Sequence, residues 1–244
     1  VLLPAAAIVV WHLAARFDLV NRVLLPPPEV VLLTAFQSVL SGELVRHVIE
    51  SLIRIAWANG IAISLGVPLG IFMGLYRPFE QIVDGALNLL RPIPPIAWIP
   101  LAILWFGIGQ KTVVFITLLA AFFAIVLNTL EGVRGVDRSL VRAALCLGAS
   151  RWVLIWRVTL PAALPSIFVG IRIAVGVSWM SIVAGELVAA TSGLGFMISF
   201  YRELLRTDLI LTGMAAIGII GFLMDRGLRG IERKLLPWRA GLQH

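Results

Sequence analysis

The chain has 244 residues, of which 60% are hydrophobic and only 14% charged, and its formal net charge is +7. A soluble domain carries roughly 25% charged residues, so a mean hydropathy of +0.99 excludes an ordinary water-soluble fold and points to a membrane protein. In a chain this apolar, loop arginines that set topology explain the positive charge better than nucleic acid does. The single cysteine, Cys146, excludes an internal disulfide, and the three histidines, His12, His47 and His244, are too scattered for a metal-ligand pattern.

A helix crosses a bilayer with about 20 apolar residues. Residues 1–15 are the first such run; it lacks an initial Met and is expected to sit inside a longer natural chain. Residues 17–28 connect it to a Pro26-Pro27-Pro28 stop. Residues 29–50 mix apolar positions with Arg46 and Glu50 and read as one amphipathic interfacial helix. No charge falls between Arg54 and Arg77, where Gly66, Gly70 and Gly74 recur at every fourth position, a small-residue stripe suited to close helix packing. Residues 81–109 are irregular, with Arg91 followed by Pro92, Pro94, Pro95 and Pro100. Each proline removes a backbone hydrogen bond and crowds the preceding turn. Broken backbone at membrane depth needs surrounding protein or a water-filled cavity.

Residues 112–130 are an uncharged span, and 131–165 form a basic loop. Residues 166–188 are a further span interrupted by Arg172 and Glu186. A loop or re-entrant hairpin follows over 189–208, holding Ser192-Gly193-Leu194-Gly195, then a last span over 209–224 and a basic tail over 225–239. The expected total is six spans. Arg134, Arg138, Arg142, Arg151 and Arg157 crowd the loop, and Arg226, Arg229, Arg233, Lys234 and Arg239 crowd the tail. The positive-inside rule puts both in the cytoplasm and leaves the Pro26 segment, Lys111 and the Gly193 hairpin outside. The expected organisation is a first span with an external interfacial helix over 1–50, a membrane core over 51–225 and a cytoplasmic tail over 226–244.

Within the basic loop, Arg142-Ala143-Ala144 is followed after three residues by Gly148 and after nine more by Val158, Thr159, Leu160 and Pro161. This spacing resembles the coupling-loop motif of ABC importer permeases, which reads E-A-A, three residues, Gly, nine residues, Ile, one residue, Leu-Pro. Arg142 stands at the Glu position and Val158 at the Ile position. Residues 24–31, 91–101, 104–109 and 227–238 resemble the taurine, sulfonate and nitrate permeases of that family.

The resemblance implies an all-α membrane protein, the six-span transmembrane domain of a type I ABC importer in a bacterial cytoplasmic (inner) membrane. It implies a second permease copy, two ATP-binding subunits and an external solute-binding protein as partners. No cofactor is expected in this chain; ATP and Mg belong to the partner ATPase. The cargo implied is a small anion such as taurine or an alkanesulfonate, with nitrate, an aromatic carboxylate or a pyrimidine precursor as alternatives. Arg142, Ala143, Ala144, Gly148, Ala149, Ser150, Leu160 and Pro161 are then the ATPase-coupling residues, with Gly148 breaking the loop helix and Leu160-Pro161 redirecting the chain into the next span.

Arg91 and Arg172 lie in apolar segments, where an arginine costs several kcal/mol unless it faces a cavity or a partner. Together with Trp98, Trp179 and Glu186 they are the candidate lining of the substrate path. The structural alternatives are an ion pair with Glu186 or Asp84, packing tryptophans, and a Glu186 that orients the 193–195 hairpin. No enzyme signature is present: in Gly107-Ile108-Gly109-Gln110-Lys111-Thr112, Gln110 breaks the phosphate-loop pattern. A stand-alone secondary transporter usually carries internal repeats and intramembrane coupling acids; this chain has no convincing repeat and too few membrane acids.

Overall fold

The computed structural model describes residues 2–17, 21 and 23–235. The ends of the chain at 1 and 236–244, and parts of the 17–28 connection, lie outside the described residues. In order, the helices are α1 (Leu2–Arg16), α2 (Pro28–Leu40), α3 (Glu43–Leu75), α4 (Arg77–Leu90), α5 (Ile99–Phe106), α6 (Gln110–Arg134), α7 (Arg138–Cys146), α8 (Arg151–Leu154), α9 (Leu160–Ala189), α10 (Leu194–Glu203) and α11 (Thr207–Leu235). Among the described residues four rods are long and apolar enough to cross a membrane: α3, α6, the run Arg151–Ala189 and α11. The pair formed by α4 and the Pro95–Phe106 segment, bent by 83°, has the length and composition of a broken span or a re-entrant loop. The first span expected at 1–15 coincides with α1, a 15-residue helix.

The centre of the subunit is α3, α6 and α9. The glycine stripe of α3 faces α6: a Cβ on Gly70 would lie 2.7 Å from Cβ of Thr129 and 2.8 Å from the Val126 carbonyl oxygen. The same close approach joins α6 to α9, where a Cβ on Gly170 would lie 2.7 Å from Cβ of Asn128. The stripe is therefore a contact within the subunit. Close backbone approach replaces the hydrophobic drive that lipid cannot supply. Toward the N-terminal end of α3, Leu44, Ile55, Val113, Trp179, Ile182, Leu194, Met197 and Leu209 form a buried cluster drawn from α3, α6, α9, α10 and α11.

The prolines of the irregular segment stand where a missing N–H is harmless. Pro95 opens a 3₁₀ turn and Pro100 lies in the first turn of α5, positions that have no intrahelical acceptor. Arg91 caps the end of α4.

Three sequence expectations change. The single interfacial helix over 29–50 is two helices: Gly42, at φ +77°, ends α2, and Glu43 begins α3. Arg46, His47 and Glu50 thus lie on the first turns of a long span. Leu160-Pro161 does not redirect the chain, because the helix passes through it unbroken from Arg151 to Ala189. A π turn over Ile155–Thr159 immediately precedes the proline. Its wider backbone absorbs the clash and the missing donor that proline brings to a regular helix. The direction of the chain changes at 147–150 instead. Finally, the segment 189–208 contains a ten-residue helix, α10, and α11 continues as helix through the first part of the basic tail.

Candidate functional site

Two regions at opposite ends of the core are the candidates for functional chemistry. The first is the loop between α6 and α9. Asp137 caps α7, its carboxylate accepting the Ser139 N–H at 2.8 Å, a bond that holds the Asp137 carboxyl below the usual carboxylate range. At the other end Gly148 takes φ +78°. Its N–H donates to the Leu145 carbonyl at 3.0 Å, and the Ala149 N–H donates to the Ala144 carbonyl at 3.0 Å. This pair of bonds is the left-handed helix stop that glycine favours, since glycine has no Cβ to strain it. Ser150 then caps α8 by accepting from the Val153 N–H.

The loop touches little of its own subunit. No residue of α7 is buried. Leu140, Leu145, Leu147, Trp152 and Trp156 are exposed, Leu147 at 88%. Arg138, Arg142, Arg151 and Arg157 are exposed among them. Of the sequence-derived residues, Arg142, Ala143 and Ala144 lie on α7, and Gly148, Ala149 and Ser150 make the reversal. Leu160 and Pro161 lie within the continuous rod leading into α9. At the base, Arg134 at the end of α6 is ion-paired with Glu80 of α4.

The second region is where the N-terminal half of α3 meets the C-terminal end of α9. Glu186 is 1% exposed and Arg54 is 3% exposed. Their side chains meet at 2.7 Å. The same Arg54 nitrogen, Nη1, donates to the Ser192 carbonyl at 2.7 Å, and Nη2 donates to the Ser192 hydroxyl at 2.6 Å. The Ser51 hydroxyl donates to the Glu186 carboxylate at 2.8 Å. The free N–H groups at the start of α10 are taken one by one. Gly193 N–H donates to His47 Nδ1 at 3.1 Å, Leu194 N–H to Ser51 Oγ at 2.9 Å, and Gly195 N–H to Glu186 Oε2 at 2.8 Å. A helix start leaves its first N–H groups without intrahelical acceptors and favours negative charge. Here α3 and α9 supply the acceptors from elsewhere in the fold. Gly193, at φ +106°, has no room for a side chain: a Cβ would lie 2.2 Å from Glu186 Oε1.

The far end of α10 is tied as well. The Tyr201 hydroxyl donates to Glu43 at 2.5 Å, and burial, with that carboxylate beside it, pushes the phenol up to about 12. Arg206 pairs with Asp208 at 2.7 Å.

The five sequence-derived path residues are dispersed. Glu186 is the hub of the second region. Trp179 is buried in the cluster toward the N-terminal end of α3. Arg172 is ion-paired with Glu232 of α11 at 3.4 Å. Trp98 packs against the small cluster of Ile99, Ala102 and Ile116. Arg91 lines a cavity of about 330 Å³ between α4, α6 and α9, with Asn128 and Glu131. Sequence reasoning missed His47, Ser51 and Arg54 as a group. Their spacing of four and three residues puts them on one helical face, which was the available signal.

The sequence and the fold have relatives among known proteins. Residues 66–236 match the family described as "Binding-protein-dependent transport system inner membrane component". The chain is 42% identical over 98% of its length to the taurine transport system permease protein TauC of Escherichia coli, covering 89% of that protein. It is 38% identical over 98% of its length to the putative aliphatic sulfonates transport permease protein SsuC of Bacillus subtilis, covering 86% of it. Its fold matches a subunit of the MetNI methionine ABC transporter in an inward-facing conformation, with a TM-score of 0.69 at 23% identity, over 78% of this chain and 95% of that one. The chain belongs to the binding-protein-dependent transport family and is a multi-pass permease subunit of the ABC importer type.

Proposed function

We propose that this chain carries a small organosulfonate, taurine or an alkanesulfonate, into the cytoplasm as the membrane-spanning subunit of an ATP-driven importer. The named activities of two relatives, each about 40% identical over nearly the whole chain, support the substrate class. The observation that carries the mechanism is the α7–α8 loop. Its leucines, tryptophans and arginines are exposed together, and its reversal is built on Gly148. A soluble ATPase subunit is the partner for this surface. Closure of two such subunits on ATP pushes the loop. The continuous rod Arg151–Ala189 passes that displacement into the membrane without a hinge at Pro161.

In this reading the loop faces the cytoplasm and the 192–195 turn faces the external solute-binding protein. Two permease copies enclose the path, and Arg91 lines it. Alternating access then delivers substrate from one side to the other. ATP and Mg are held by the partner, and the protein resides in the cytoplasmic (inner) membrane. The test is reconstitution in vesicles with the ATPase subunits and the cognate binding protein. ATP-dependent uptake of taurine or ethanesulfonate supports the proposal. Absence of uptake of every sulfonate by an intact complex overturns it.

A further inference from the structure

The cavity between α4, α6 and α9 holds more than Arg91. Its wall carries the Arg91 guanidinium, the Glu131 carboxylate and the Asn128 carboxamide, set among Phe123, Ala124, Leu127 and Ile173. The Asn128 amide group donates to the Ala124 carbonyl at 2.8 Å, which fixes the side chain by one end. Among the described residues, neither Arg91 nor Glu131 takes part in an ion pair. The neighbouring charges do: Arg134 is paired with Glu80 and Arg172 with Glu232. Charged groups next to apolar helices are costly unless they face water, a partner or a substrate. Arg91 and Glu131 are both exposed where they line this open cleft, so a ligand that bears both charges can engage the two together.

A bare anion gains from Arg91 but is repelled by Glu131. A bare cation meets the reverse. A short zwitterion satisfies both, with its carbon stem against Phe123, Leu127 and Ile173. The volume of about 330 Å³ lies at the small end of ligand pockets, roughly 300–1,000 Å³. The formal charges of the two side chains cancel, so such a site attracts the cargo without trapping it as a lone arginine traps an oxyanion. We propose that this cavity is a transient station for a short aminosulfonate, with Arg91 taking the sulfonate and Glu131 the ammonium. This rests on the reading of the chain as a sulfonate permease. It adds that the membrane subunit itself distinguishes an amino-bearing sulfonate from a plain one.

The test uses the permease–ATPase complex in nanodiscs, without the binding protein. Binding of 2-aminoethanesulfonate, ethanesulfonate and ethylamine is measured by saturation-transfer NMR, which detects weak ligands. The wild type is expected to favour the aminosulfonate over either half-ligand by about tenfold, of the order one well-placed charge pair supplies. Glu131→Gln should bring 2-aminoethanesulfonate and ethanesulfonate to nearly equal affinity without weakening the latter. Arg91→Gln should abolish binding of both sulfonates. Equal weakening of the two sulfonates by Glu131→Gln, or an unchanged preference, overturns the assignment. Loss of the assembled complex in both variants also overturns it, since that marks a structural ion pair. ATP-driven sulfonate uptake by the wild type alongside a preference indifferent to Glu131 removes this inference alone. Absence of all sulfonate uptake removes the underlying reading.

Discussion

The 147–150 loop and the 192–195 turn solve the same local problem in opposite ways. Each reverses the chain beside a short helix, and each relies on a glycine at positive φ, Gly148 at +78° and Gly193 at +106°. Around Gly148 nothing lies within 4 Å of where a Cβ would stand. Around Gly193 the same position is already occupied by Glu186 and Arg54. The 147–150 loop ends its helix with its own backbone and leaves its side chains outward. The 192–195 turn hands its backbone donors to two side chains of α3, His47 and Ser51, and to the Glu186 carboxylate of α9. One surface is prepared for a partner, whereas the other has its partners inside the subunit.

That contrast is broken most severely at Glu186. Removing one member of a buried ion pair strands the other and costs about 3–5 kcal/mol. Glu186→Ala should therefore lower the yield and unfolding temperature of the purified permease sharply. Replacing Arg54 and Glu186 together by Met and Leu should cost less than the sum of the single changes. Additive losses in thermal unfolding would mean that the pair is not a unit.

Gly148→Leu comes next. A non-glycine residue in a left-handed turn costs roughly 1–2 kcal/mol, here in open space. The permease should remain folded and inserted but lose co-purification of the ATPase subunits. Undiminished co-purification and transport would remove the loop from the coupling role.

The third test concerns pH. Tyr201 has its phenol raised to about 12, against about 10 for an unperturbed tyrosine. A raised folded value stabilises the protein fully below the unfolded value, and the contribution is lost as pH rises from about 10 through about 12. Tyr201→Phe should cost about 1 kcal/mol at neutral pH and flatten that alkaline slope of stability. A slope identical to the wild type would exclude Tyr201 as its source.

The smallest effect is expected at Leu205, where α10 ends. This residue holds φ 54°, with the Arg206 N–H on the Tyr201 carbonyl at 3.0 Å, the kind of stop for which α7 uses glycine. Leu205→Gly relieves strain but loosens the unfolded chain, so a net gain of about 0.5 kcal/mol is expected in thermal unfolding. A loss would show that the exposed Leu205 side chain has contacts that outweigh its backbone strain.

What the sequence determined alone was local or periodic. Long uncharged runs dictate membrane helices because lipid offers no hydrogen bonds to the backbone. The Gly66, Gly70 and Gly74 stripe dictates a close contact because every fourth residue shares a face. Gly148 and its spacing to Leu160-Pro161 marked the loop, since a left-handed stop needs a residue without a Cβ. The site was less legible. Ser51 and Glu186 are separated by 135 positions, and no pattern within α3 says which distant carboxylate it meets. Arg91 was legible as an uneasy charge, but its sharing a cavity with Glu131 depended on how α4 packs against α6. The passage of a helix through Pro161 depended on a π turn that composition does not announce. Tertiary structure decided these points because a buried polar group is stable only beside its partner, and that partner is chosen by packing.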